Sequence, residues 1–302
     1  MFHDRNENLT NFFKTFINSE FEDHEDTTAW KKEVTDTDWK HRSDLIERGQ
    51  CTFLEGVKGL TIRDLVVIYA YYYMEGHAVS LYHVLLNARK KHKISFLNNL
   101  IHVDFGCGPI TAAIAMAVYN LKHGGKDKSK AGLTFHYIGI DQSDAMLSFG
   151  QEVQEAAGRL FNSKSTFEYI NAEDANRELT TAIGKHRGFF GATICLNFSY
   201  YFASQTIDVP ALVKLIKRIL TEFAADKICL VFQNADNPNK NASWYQFKDY
   251  TKGVLFPVYA DEAENVSYIN VSGRRGQYVT IKLLHAVLVN QTFKDAMEEL
   301  EE

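Results

Sequence analysis

The sequence predicts an α/β fold: a mainly parallel sheet, closed by an antiparallel hairpin near the C-terminus and preceded by a helical N-terminal extension. Three observations carry this. From about residue 99 onward, short apolar runs alternate with amphipathic stretches, the strand–helix alternation of a parallel sheet. The first of those runs ends in a glycine-rich turn, Gly106-Cys107-Gly108-Pro109. The last two runs, 266–271 and 278–289, are joined through Ser272-Gly273-Arg274-Arg275-Gly276, too short for a crossover helix, so they should pair antiparallel.

Residues 1–98 read as helical. Phe12, Phe13, Phe16 and Ile17 fall at helical spacing, and Leu45, Ile46, Leu54 and Val57 do so more loosely. Thr61 is placed to cap a helix that starts Ile62-Arg63-Asp64, with an acid in its first turn, and runs to about Leu86. Its Leu65–Tyr69 stretch is β-rich, but its length and lack of turn residues favour helix. Strands follow at 101–105, 135–141, 166–171, 190–197 and 227–233. Helices are expected from 111, from Ser143 to about 158, over 174–183, and after Asp208. In the last of these Pro210 sits in the first turn, and Leu212, Ile216, Ile219 and Phe223 form the apolar stripe. The stretch 122–132 reads as a polar loop. The expected organisation is a helical cap at 1–98, a ligand-binding domain at 99–290 and an acidic tail at 291–302.

Composition narrows the function classes. In 302 residues, 45% are hydrophobic and 24% charged, enough to bury a core, and 4 Pro with 18 Gly exclude a collagenous or low-complexity chain. The net charge of −5 argues against a surface given over to nucleic acid. Residues 1–40 carry −5 and residues 291–302 carry −4, which leaves a mildly basic body between acidic ends. Cys51, Cys107, Cys195 and Cys229 form no C-x-x-C pair, so no metal is expected. The longest apolar run, Leu65 to Met74, is shorter than the roughly 20 residues of a membrane span. Met1-Phe2-His3-Asp4-Arg5 lacks the pattern of a secretory signal. A cytoplasmic protein without membrane association is expected.

The stretch that carries chemistry is Val103-Asp104-Phe105-Gly106-Cys107-Gly108-Pro109-Ile110. A glycine turn from strand into helix lets a ligand approach the backbone. The dinucleotide fingerprint fails because Thr111 stands at its last glycine, and no Gly-Lys-Ser/Thr follows for a phosphate loop. What remains resembles motif I of the class I S-adenosylmethionine (SAM)-dependent methyltransferases, D/E-x-G-x-G-x-G, with Ile110 replacing the third glycine. The resemblance covers about residues 99–290 and implies a seven-stranded methyltransferase-type sheet. It also implies SAM as cofactor and S-adenosylhomocysteine as product.

The same resemblance implies site residues. Asp104, Gly106, Cys107 and Gly108 form the motif I loop. Asp141, with Gln142 beside it, ends the second strand where the family holds the ribose hydroxyls. Asp174, or its rival Glu173, follows the third strand where the family faces the adenine. The fourth strand ends Asn197-Phe198-Ser199-Tyr200-Tyr201 beside the methyl group. Asn197, Phe198, Ser199 and Tyr200 have the spacing of the N/D-P-P-Y/F signature of amine methyltransferases, but both prolines are missing.

Other candidates come from the residues themselves. Tyr69, Tyr73 and His77 share one helix face at i, i+4, i+8, with aromatic bodies and polar tips suited to a sulfonium. His77, Asn197 and Tyr200 are the catalytic candidates, and Tyr73 is a cofactor contact. Tyr69, Tyr201, Arg274 and Arg275 are the acceptor contacts, the arginines as forks for an anionic group. The leading expectation is methyl transfer to a small molecule. An RNA methyltransferase and a catalytically silent SAM-fold protein are the alternatives.

Overall fold

A computed structural model describes residues 7–94, 100–123, 134–188, 191–273 and 276–299. Among the described residues one sheet has seven strands: β1 (Leu100–Phe105), β2 (Phe135–Asp141), β3 (Thr166–Asn171), β4 (Thr193–Ser199), β5 (Lys227–Ala235), β6 (Phe256–Ile269) and β7 (Tyr278–Val289). Their order is β3-β2-β1-β4-β5-β7-β6. β1 to β5 run parallel, and β7 is antiparallel to both of its neighbours. Every residue of β1 is buried, as expected of a central strand covered on both faces.

One face of the sheet carries the helices Thr111–His123 and Asp144–Ala156 together with the N-terminal extension. The other carries Ala175–His186, Val209–Glu222 and Ala242–Thr251. The expected caps form. Ser143 Oγ accepts from Met146 N, and Asp208 Oδ1 accepts from Ala211 N. Thr61 and Asp64 exchange side-chain and backbone bonds in a full capping box.

The helix that Thr61 starts is longer than expected and irregular. It runs Ile62–Tyr69, loosens into a π turn at Ala70–Met74, and continues as Glu75–His92. This cap helix packs with the extension into the core of the sheet's own helices. Phe16 stacks on Phe149 at 6.0 Å, and Arg63 makes a two-pronged bond to Glu152. Glu75 is buried and accepts from Val271 N, Ser272 N, Ser272 Oγ and Asn270 Nδ2, tying the cap helix to the β6–β7 hairpin.

Several expectations need correction. Leu54 and Val57 are not helical: Leu54 is exposed and Val57 forms an isolated bridge with Leu60. β6 begins at Phe256, ten residues before the apolar run that announces it, because β7 supplies pairing that its polar half cannot signal. The helix Ala242–Thr251 is not among those the sequence predicts. Residues 291–298 are not a plain tail but a helix, capped by Asn290 and anchored by the buried Phe293. Most of the loop expected at 122–132 lies outside the described residues. Among the described residues no helix is long and apolar enough to cross a membrane.

Candidate active site

The turn after β1 is built from left-handed backbone. Gly106, Gly108 and Ile110 have φ of 66°, 50° and 52°. A Cβ on Gly106 would stand 2.8 Å from Tyr201 Cδ2, so only glycine lets the turn and that ring coexist. Ile110 is a β-branched residue in a region such residues rarely enter. Its Cγ2 lies 3.0 Å from where Gly150 would carry a Cβ, so the helix Asp144–Ala156 makes room for it with a glycine.

The end of β2 locks this turn. Asp141 Oδ2 accepts from Gly108 N at 2.9 Å, and Oδ1 accepts from Ser143 N at 3.0 Å. Burial holds the Asp141 carboxyl above the usual carboxylate range, against the pull of these amides.

A cavity of about 560 Å³ opens at the carboxyl ends of β1, β2 and β4. Open α/β sheets bind ligands there, where the strand order reverses. Of the residues singled out from sequence, Gly106, Gly108, Asp141, Gln142, Tyr69, Tyr73, His77, Tyr200 and Tyr201 line it. The cap helix therefore forms one wall. Its π turn still leaves Tyr69, Tyr73 and His77 on the cavity side.

His77 and Tyr200 stack face to face, centroids 3.7 Å apart at 17°. His77 Nδ1 lies 3.0 Å from Tyr69 Oη, and Tyr200 Oη lies 3.1 Å from Ser80 Oγ. Tyr73 Oη bonds Ser43 Oγ at 2.5 Å. Burial, and next the nearby Lys240, push the His77 pKa down to about 3. The imidazole is neutral at physiological pH.

Six of the expected residues do not line the cavity. Asp104 is sealed under the turn, accepting from Tyr137 Oη and Asn197 Nδ2, both at 2.6 Å. Burial pushes its pKa up to about 7. Asn197 is fully buried with it. Cys107 wedges against Gly139 beneath the turn, where burial raises its thiol well above the ordinary value. Phe198 is inside the opposite core, stacked on Phe105 at 4.6 Å. Glu173 is exposed, and Asp174 Oδ1 accepts from Arg177 at 2.6 Å. Ala172, Ala175 and Asn176 line the cavity at that point instead. Arg274 and Arg275 lie outside the described residues.

Other lining residues escaped sequence reasoning. The segment Arg48–Phe53 closes one side, and Lys240, half-buried, closes another. Burial, and next Arg48, lower the Lys240 pKa. The only sequence signal in the first segment is Gly49, which follows two further left-handed residues, Glu47 and Arg48. Tyr268, Val279 and Ile281 arrive from the β6–β7 hairpin.

Strand order and the glycine turn together decide the fold. It is the class I methyltransferase fold. No family model and no curated protein matches the sequence. Solved structures to which the chain shows similarity include precorrin-6Y C5,15-methyltransferase of Geobacter metallireducens GS-15. It is 11% identical over 72% of this chain and 89% of that chain, with a TM-score of 0.40. Magnesium protoporphyrin IX methyltransferase of Synechocystis PCC 6803, with bound SAM, is 17% identical over 70% and 80%, at 0.35. A proposed RNA methyltransferase of Pyrococcus horikoshii is 11% identical over 69% and 81%, at 0.37. What ties this chain to the methyltransferase fold is its own order β3-β2-β1-β4-β5-β7-β6 and its own turn, not these overlaps.

Proposed function

We propose that the protein is a SAM-dependent methyltransferase acting on a small molecule. The observation that carries this is the cavity itself: a glycine turn and the Asp141 carboxylate line it together with a neutral aromatic wall of Tyr69, His77 and Tyr200. The residues fit the cofactor. An ionised carboxylate accepts only, and Asp141 can take two hydroxyl donors. Gly106 and Gly108 expose backbone to a ligand's polar end. Tyrosine faces suit a positive sulfonium.

Bound SAM would supply a methyl already activated on sulfur. The chain's share is to align an acceptor and exclude water. The aromatic wall excludes water. His77, neutral and buried, holds a proton poorly, so its part is to orient the acceptor by a hydrogen bond and not to take its proton. Lys240 and Arg48 give the cavity two cationic contacts, so an acceptor bearing an anionic group fits better than a neutral one. Gln142, Tyr73 and Tyr201 complete the contacts on this reading.

The test is calorimetric titration with SAM and with S-adenosylhomocysteine. Both should bind the parent. Asp141→Ala should weaken both by about 1.5–3 kcal/mol, the worth of bonds to a charged acceptor. Equal binding by parent and variant, or binding by neither, would remove the assignment. Binding of RNA that competes with no small acid would favour the RNA alternative.

A further inference from the structure

A second group of ionisable side chains lies along the cap helix past His77, between that helix and the β6–β7 hairpin. None of its members lines the cavity. Glu262 and Glu264 are two apart on β6 and so share a face, and His285 of β7 pairs directly with Glu262. A bulge between Tyr259 and Glu262, with Asp261 at φ 55°, sets the strand's twist just before them. One carboxylate oxygen from each glutamate and one ring nitrogen of His285 lie within 4.8 Å of one another.

His285 is the decisive member. It is 0% exposed. Its Nδ1 is 3.2 Å from Tyr259 Oη. Its Nε2 has no hydrogen-bond partner among the described residues and points at the carboxylates, 4.0 Å from Glu264 Oε1. A buried nitrogen without a partner calls for one.

The surroundings hold Glu264 in place. Its Oε2 accepts from His83 Nε2 at 2.7 Å and from Asn87 Nδ2 at 2.9 Å. Lys91 Nζ lies 2.5 Å from Glu264 Oε1 and 3.4 Å from Glu262 Oε2. His92 Nε2 lies 3.6 Å from Glu262 Oε1. Lys91 sits where a cation belongs, on a half-exposed side chain.

We propose that Glu262, Glu264 and His285 bind one divalent transition-metal ion, which displaces the Lys91 ammonium. Two carboxylates and one imidazole suit zinc or manganese: imidazole favours the first and carboxylate oxygens the second. His83 and Asn87, bonded to Glu264, orient it from outside. The ion would tie β6 to β7, and the cap helix meets the site through His83 and Asn87, which bond Glu264.

The experiment uses the full, untagged chain, stripped with a chelator and titrated calorimetrically with Zn²⁺ and with Mn²⁺. One ion per chain should bind for at least one metal and raise the melting temperature. His285→Ala and Glu264→Gln should each abolish that binding while far-ultraviolet dichroism stays native. Glu264 is partly exposed, so its variant keeps the test decisive if the buried histidine cannot be replaced. His83→Ala should weaken binding about 10–100-fold. Lys91→Met should tighten it, because a competing cation is gone. Failure of the parent to bind either ion, or binding unchanged in Glu264→Gln, overturns the proposal.

Discussion

The imidazole of His77 lies flat on the ring of Tyr200, 3.7 Å between centroids, and so joins the cap helix to the end of β4 across the cavity. Tyr200 holds this position with left-handed backbone, φ 58°, while its amide donates to Gln233 O and its hydroxyl meets Ser80 Oγ. Tyr200→Phe keeps the stack and drops the hydroxyl bond. It should cost about 0.5–1.5 kcal/mol in urea unfolding and leave SAM affinity near the parent's. Tyr200→Ala removes the wall as well, and should cost more. A stable Tyr200→Ala variant would show that the stack holds nothing.

Ile110 and Gly150 should behave as one unit. Gly150→Ala alone places a Cβ 3.0 Å from Ile110 Cγ2, so the gain of about 1 kcal/mol expected of alanine in a helix is lost to the clash. In an Ile110→Ala background that clash is absent, and Gly150→Ala should stabilise. The double-mutant cycle should give a coupling of about 0.5–3 kcal/mol. Additive effects would separate the two residues.

Gly106 and Gly108 should differ in tolerance. Both are left-handed, a cost of roughly 1–2 kcal/mol for an alanine. Gly106→Ala also drives Tyr201 from the cavity wall, whereas a Cβ on Gly108 meets Tyr69 and Met146 at 3.8 and 3.9 Å. Calorimetry should therefore find SAM binding lost in Gly106→Ala and weakened in Gly108→Ala. The reverse order would mean that Tyr201 does not shape the site.

Asp104 should impose a pH dependence on stability. Its carboxyl titrates near 7 in the fold against 3.8 when free. The folded state therefore holds the proton more tightly. The contribution is fully present below about pH 4 and is lost as pH rises through about 7. Asp104→Asn has nothing to titrate and can still bond Tyr137 and Asn197. Its stability relative to the parent should rise between about pH 4 and pH 8 in parallel urea titrations. A constant difference across that range would show that Asp104 is ionised in its buried site.

The sequence by itself determined the parallel core and its punctuation. β1, β2, β4 and β5 were legible because doubly covered strands are near-continuous apolar runs, and Thr61, Ser143 and Asp208 were legible because a cap needs one short polar side chain at one place. The glycine turn was legible because its φ angles exclude most other residues. Tertiary structure decided what spacing cannot carry. The polar half of β6 is a strand only because β7 pairs with it, and the π turn of the cap helix has no signature in Ala70–Met74. Asp104 and Asp141 both end or nearly end a strand, yet one is sealed against Tyr137 and Asn197 while the other faces the cavity. Glu262, Glu264 and His285 meet only through strand pairing across a hairpin. Local preference depends on a few neighbouring residues, whereas the direction a side chain faces is fixed by the partners that the rest of the chain brings to it.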